Sequence, residues 1–480
     1  MLGTEAIRYK PQWFQNRTLL LGTLAVICIG LILRTVLPIT LSFILAVQLV
    51  LFVLVFKRPV WAMAALIIIQ FTAIDYKVLF LGTQVTIRLI WAVLATLLVV
   101  LYLKQDGGIK LGKKAFRVII PAVIFVCIVI ISNLVNTGFS GALTYLRLNA
   151  VGLVILFLMP AAVKNEKDAK RLAIVALVAA SISAVVAVMQ HYSSMGLPLI
   201  ELYPGTWNGL RAPGLAQTEV DLAFYLPLVI VVIAALYFVR GGVDPRMRKF
   251  LPFLALVMAA GLYFTYSRSG MYALAPGLLA MVLLMKGKAK MRLLLVFLIL
   301  GIAFLMFTQI ASNRYAKGFS GESSAAGRLV LWQAGLKIAQ DNPLLGIGAW
   351  RFTQVSPEYA SSIDPELMAT LGAGADLGRY PAHDDFITVW ASFGTPALLA
   401  YLWIFVAIFR NFFESYRKSS TPFLRGLSLG CFGALAAYIV NALTHNVMDN
   451  SMLFWILGGF SIATTKLALS KRLPTAKETR

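Results

Sequence analysis

Charge is scarce in this chain. Asp, Glu, Lys and Arg together make up 13% of its 480 residues, 60% are hydrophobic, and mean hydropathy is +0.82. A soluble fold of this length needs a far more polar surface, so soluble classes are excluded. Acid is scarcer still: 20 Asp+Glu stand against 43 Lys+Arg, a net charge of +23. Cysteine is limited to Cys28, Cys127 and Cys431, each alone in an apolar stretch. Neither a disulfide framework nor a thiolate metal site follows from that spacing. There is no His-Glu-x-x-His, no Walker loop and no clean Rossmann glycine pattern, and the three histidines are far apart. No metal, no cofactor and no nucleotide-driven work by this chain alone are expected.

What the chain has is long apolar runs, the signature of membrane-spanning helices. They give fourteen candidate spans: 18–33, 37–56, 60–75, 84–103, 117–135, 143–163, 172–190, 221–239, 251–266, 270–285, 291–309, 385–410, 424–443 and 450–469. Several are short for a hydrocarbon core of about 30 Å. The pairs around Arg34 and around Ser267–Gly270 are therefore open to a broken or re-entrant reading. The run from Leu19 onward lacks a clear cleavage site and reads as the first span, not as a removed signal peptide. The expectation is an all-α polytopic membrane protein of about 12–14 transmembrane helices, a single membrane domain over residues 1–480.

Basic residues set the orientation. With the N-terminus in the cytoplasm, alternate loops facing that side hold 29 of the 43 basic residues, and the opposite loops hold ten. The positive-inside bias thus explains the net charge without nucleic acid. Two long loops fall on the opposite, outer side: 191–220, rich in Pro and Gly, and 310–384, a large cap. Within the cap, Arg328–Gln340 is amphipathic, with Leu329, Trp332, Leu336 and Ala339 at helical spacing, and Asn342–Pro343 ends it. Ser361–Leu371 is a possible second short helix.

Chemistry concentrates at that outer side. His383 lies in Arg379-Tyr-Pro-Ala-His-Asp-Asp-Phe-Ile, directly before a span, where imidazole can take a proton near neutral pH. Asp384 or Asp385 could fix its tautomer, although an interfacial structural role is common for a single His. Arg268, in Ser267-Arg-Ser-Gly270, sits in a very short turn between apolar runs, and Arg328 begins the cap helix. Guanidinium suits bidentate phosphate binding, while snorkelling to the interface is the plain alternative. Arg211 is a third outer-face cation with the same alternatives. Arg88 and Arg147 fall inside apolar spans near the outer side and need an acid, a carbonyl or a wet cavity. Lys466 snorkels from the other end. His445, in the short turn between the last two spans, either approaches His383 or caps the last helix.

The ordered pieces Ser267-Arg-Ser-Gly, Gly327-Arg-Leu-x-Leu-Trp, Asp341-Asn-Pro-Leu-Leu-Gly-Ile-Gly348 and Pro381-Ala-His-Asp-Asp-Phe with Gly394 set up a resemblance. The chain resembles the bacterial O-antigen ligase and polysaccharide polymerase superfamily over roughly 205–400. It departs from the usual pattern by carrying Asp384 where an asparagine or similar polar residue commonly follows the histidine. The resemblance implies a GT-C-like membrane enzyme of the bacterial inner membrane with its active site on the periplasmic side. It implies transfer of a glycan from an undecaprenyl-pyrophosphate carrier to a sugar hydroxyl, without a metal. By motif, Arg268 and Arg328 would hold the pyrophosphate and His383 would serve the acceptor.

Elementary chemistry reaches compatible roles, since a leaving pyrophosphate needs fixed positive charge and the attacking hydroxyl needs a base on the opposite face. That geometry predicts inversion. The acceptor is expected to be another lipid-linked repeat of O-antigen or exopolysaccharide. Lipid A-core (a ligase) and a protein hydroxyl are alternatives. A polytopic transporter is the reading from another class. Membrane lipids are the other expected partners.

Overall fold

The computed structural model describes residues 58–71, 77–80, 83–86, 112–192, 211–216, 218–298, 321–369, 377–448 and 452–470, with a few isolated positions besides. Helix α1 (Val60–Phe71) leads to an antiparallel hairpin, β1 (Lys77–Phe80) paired with β2 (Thr83–Thr86), Lys77 opposite Thr86. Then follow α2 (Phe116–Asn136), α3 (Gly138–Ala162), α4 (Glu166–His191), α5 (Glu219–Phe238), α6 (Pro245–Phe264) and α7 (Arg268–Leu284). After them come α8 (Gly321–Asp341), α9 (Asp385–Lys418), α10 (Pro422–Ala442) and α11 (Leu453–Ser470). Residues 287–298 are also helical.

Eight of these helices are long and apolar enough to cross a membrane, and α1 and α7 are shorter apolar helices. The chain is a multi-pass membrane protein. Of the expected spans from 117–135 onward, all but 291–309 fall on a described helix, and 291–309 is described over 291–298. Isolated positions aside, 18–33, 37–56, the rest of 291–309 and all but the first residues of 84–103 lie outside the described residues. Over the described residues the fold is all-α as expected apart from the hairpin, which corrects the start of the expected span 84–103, where β2 lies. Its β-branched Thr83, Val85 and Thr86 fit a pleated pair better than a helix start.

Local sequence fixes where helices begin. Thr218 and Asp221 form a reciprocal capping box, each side chain taking the other's backbone N–H at 3.1 Å, and so open α5. Asn165 caps α4, and Asp244 followed by Pro245 opens α6. These caps lengthen the helices beyond their apolar runs. Helix α11 is buried along most of its length, whereas α4 and α6 expose Ile174, Val178, Ile182, Phe250, Phe253 and Leu256. Such apolar flanks suit hydrocarbon, not water. Helices α7 and α10 cross closely at Gly277 and Gly433: a Cβ on Gly433 would meet the Gly277 carbonyl at 2.6 Å.

Polar contacts segregate to two ends of the bundle. At one, Glu414 takes Lys114, Arg117 and Lys418, and Asp168 pairs with Arg171 and Arg58. Lys466 also reaches back there to the Pro160 carbonyl at 3.2 Å. At the other, Gln70 accepts from Met452 N, Asn133 from Ala349 N, and the cap meets α9.

That joint is made of main chain. Helix α9 breaks at Gly394, whose φ of 83° and ψ of 175° lie outside the helical region. The freed groups on either side pair with 343–348: Thr395 N donates to Pro343 O at 2.7 Å, Ile347 N to Ala391 O at 3.0 Å and Gly348 N to Ser392 O at 2.8 Å. A Cβ on Gly394 would sit 2.3 Å from Leu344 O, and one on Gly346 2.3 Å from Ser392 C. Ser132 of α2 adds a bond to Leu345 O at 2.5 Å.

The cap has its own core of Val330, Leu331, Ala334, Ile338, Ile347 and Phe352. This corrects the expected apolar stripe. Of its four members only Ala339 is fully buried, and Leu329 and Leu336 are exposed. Rows spaced by four (330, 334, 338) face inward, so the hydrophobic side is rotated from the spacing read along the sequence. In place of one short helix over 361–371, the chain makes a 3₁₀ segment, Ser356–Ser362, and a helix, Pro365–Ala369. Pro365 forces the interruption, because it disfavours helix at the residue before it.

Candidate functional site

The cap end gathers cations and imidazoles at helix termini. Helix α6 ends at Phe264, the chain turns through Thr265–Ser267 with Tyr266 at a φ of 52°, and α7 starts at Arg268. The short turn expected at 267–270 therefore falls at 265–267, between two separate helices. Ser267, the N-cap of α7, makes no side-chain capping bond. An uncapped first turn leaves N–H groups and a positive dipole end beside an exposed Arg268.

Arg211 lies against the same turn. Its Nε donates to Thr265 O at 3.2 Å, and an Nη is 2.9 Å from Glu219. The segment carrying it is pinned by Gln190, which accepts from Gly214 N at 2.7 Å and donates to Gly214 O at 3.0 Å. Arg328 projects from α8 into this neighbourhood. Burial first, then the charges of Arg268 and Arg211, pull its guanidinium below the ordinary arginine pKa. Three guanidiniums close enough to repel one another form a centre suited to a multiply charged anion.

Two histidines complete the group. Arg328 Nη2 is 3.4 Å from His445 Nε2, and the two imidazoles of His383 and His445 meet edge to face at 6.1 Å. Arginine can only donate, so His445 Nε2 accepts and its ring proton belongs on Nδ1, 3.2 Å from Thr444 Oγ1. Burial and then Arg328 depress His445 to about 3, leaving it neutral. His383 is also lowered, by burial and then by Arg328, and is neutral at ordinary pH. Its φ of 53° is left-handed, a strained corner of the kind that accumulates at functional sites.

The two acids after His383 have structural partners. Asp384 is the N-cap of α9 and accepts from Ile387 N at 2.9 Å, and burial raises its carboxyl to about 6. Asp385 is buried and accepts from Met448 N at 3.1 Å on both oxygens, tying the start of α9 to the turn carrying His445. Asn446 donates to Thr388 at 2.6 Å in the same tie.

The structure thus brings together Arg211, Arg268, Arg328, His383 and His445, all at or beyond the ends of the apolar helices. Arg88 lies outside the described residues, and Arg147 falls on α3, where its side chain is not described. Sequence reasoning missed three neighbours. His191 closes α4 and stacks on Phe264 at 4.1 Å, with its Nδ1 buried and unpartnered. Glu219 holds Arg211, and Tyr380 lies 6.2 Å from His383. Nothing in local periodicity marks them, because each acquires its partner through the fold.

Residues 253–402 match the protein family described as O-antigen ligase. No curated protein matches the chain. The matched stretch runs from α6 to the middle of α9 and contains Arg268, Arg328, His383 and the Gly394 break, while Arg211 and His445 flank it. Together with the order of the motifs inside it, this match supports assigning the chain to the superfamily of bacterial O-antigen ligases and O-antigen and exopolysaccharide polymerases.

Proposed function

We propose that the protein is an inverting glycosyltransferase that moves a glycan from an undecaprenyl-pyrophosphate carrier to a sugar hydroxyl at the periplasmic face. The observation that carries this reading is the grouping of Arg268 with Arg328, and of Arg328 with His445 and the neutral His383. A lipid pyrophosphate enters with its charge toward Arg268, Arg328 and the open start of α7. Arg211 supports that charge from the side. The acceptor oxygen attacks the anomeric carbon, the bond to the phosphate oxygen breaks, and the electrons leave with the carrier pyrophosphate. The proton of the attacking hydroxyl passes to His383. Attack opposite the leaving group inverts the centre. Fixed guanidiniums supply the positive charge that the leaving group needs, so no metal enters the scheme.

The acceptor we favour is a second lipid-linked repeat, which makes the reaction a polymerisation in the bacterial inner membrane. The matched family's description favours lipid A-core as the second reading. One assay tests the chemistry and sorts the acceptors: purified protein in nanodiscs, a lipid-pyrophosphate glycan, and either a second lipid-linked glycan or lipid A-core. Arg268→Ala and Arg328→Ala each weaken donor binding, and Arg268→Lys stays impaired because it loses the bidentate fork. His383→Gln keeps donor binding and lowers turnover by about 10²–10⁴-fold. Unchanged donor binding in both alanine variants overturns the pyrophosphate role, and near-normal turnover in His383→Gln overturns the base.

A further inference from the structure

The end of the bundle opposite the histidines carries a second cationic feature that the proposed reaction does not use. A groove of about 1350 Å³, open mouth included, runs between the end of α5, the start of α6 and the helical stretch 287–298. Arg240, Arg248, Lys288 and Arg292 line it, and no acid does. Asp244 lines the adjoining groove and accepts from Arg246 N at 2.8 Å as the cap of α6.

One of the four cations is built in. Arg248 Nε donates to Tyr237 O at 2.9 Å, and its guanidinium lies 5.1 Å above the Tyr237 ring. That double hold fixes the side chain at the groove wall. The groove then continues onto apolar surface: Leu295 and Val296 line it and are 56% and 39% exposed, and Leu294 and Leu298 extend the same flank. Four cations without a counter-charge among the described residues, set directly beside a hydrocarbon-facing helix, match a ligand with an anionic head and acyl chains.

We propose that this groove binds the phosphate of an anionic glycerophospholipid, with the acyl chains along the 287–298 helix. A charged headgroup neutralises the four cations, and Arg248 and Arg292 offer forked donors to phosphate oxygens. The apolar flank separates a lipid from a free phosphate, since a soluble anion gains nothing from Leu295 or Val296. Such a site couples the bundle to the lipid composition of its leaflet.

The experiment is native mass spectrometry and thermal unfolding of the full-length protein, with phosphatidylglycerol, phosphatidylcholine or inorganic phosphate as probes. The wild type retains phosphatidylglycerol and is stabilised by it, and phosphatidylcholine does neither. Arg248→Gln/Arg292→Gln loses this retention by more than about tenfold, in line with roughly fivefold per basic contact. Lys288→Gln/Arg292→Gln leaves the Arg248–Tyr237 bond in place and reads the same loss if the first variant unfolds. Lys113→Gln/Lys167→Gln removes two charges elsewhere at the same end and keeps the retention. Equal retention in all variants overturns the site. Stabilisation by inorganic phosphate equal to that by phosphatidylglycerol overturns the lipid assignment in favour of a free anion.

Discussion

Arg328 stands between two histidines and acts differently on each. It donates to His445, whose neutral ring orients it, and its charge also lowers His383. In the proposed reaction the base must be unprotonated, so transfer should fail as pH falls through the His383 pKa, which lies below the ordinary 6.5. Arg328→Gln removes one of the two causes of that depression. Its residual turnover should therefore show an acid limb displaced to higher pH, whatever happens to its amplitude. A pH–rate profile with an unmoved limb would separate His383 from the reaction.

Asp384 offers a second titration with the opposite sense. Its folded-state pKa is raised from 3.8 to about 6, so the folded protein holds that proton more tightly than the unfolded one. Wild-type stability accordingly falls as pH rises through that window. Asparagine caps a helix as well as aspartate does and carries no charge. We expect Asp384→Asn to unfold at a higher temperature than wild type at about pH 7 and above, with the gap closing toward pH 4. A gap that does not change with pH would sink the account.

At the scale of elements, the joint between cap and α9 depends on glycine for two separate reasons. Gly394 has a left-handed φ, and a Cβ there would also strike Leu344 O. Gly394→Ala should destabilise the cap by about 1–3 kcal/mol from backbone strain, with the clash added. Gly138, also left-handed at 73° but in open space and next to Asn136 and Thr137, which touch the cap, isolates the strain alone when changed to alanine. Limited proteolysis around the exposed Glu358 and Ser361 reads the difference, and equal sensitivity of the two variants would remove the clash from the explanation.

Much of this architecture is legible in the sequence. Apolar runs mark the membrane helices because burial in lipid demands them, and their ends move only by the length of the capping turns. Thr218, Asn165 and Asp244 are readable as caps. The inner face of α8 is less so, because apolar residues lie on both sides of that helix and only packing decides which row turns inward. In the site, Arg268, Arg328 and His383 stand out by residue type and position. The Arg328–His445 contact spans 117 positions and His191 meets Phe264 across two helices and a loop, so no spacing rule could reveal them.

The whole molecule is electrically two-ended. One end holds Lys114, Arg117 and Lys418 around Glu414, and the other holds the cap and the imidazoles. The proposed orientation puts the first in the cytoplasm. In a background with Cys28, Cys127 and Cys431 replaced by serine, Ser361→Cys should react with an impermeant maleimide in intact spheroplasts. Lys167→Cys should react only after the membrane is opened, and the reverse pattern would invert the orientation.

The main-chain joint between residues 343–348 and the Gly394 break also bears on how such a protein can diverge. Bonds from Thr395, Ile347 and Gly348 to carbonyls hold regardless of which side chains surround them. The outer surface of the cap can therefore change its chemistry over generations, and with it, on the proposed reaction, the glycan it admits, while His383 stays in register eleven residues before the break, directly ahead of the Asp384-capped helix. Heritable variation in specificity and constancy of reaction are thus assigned to different parts of one short stretch of chain.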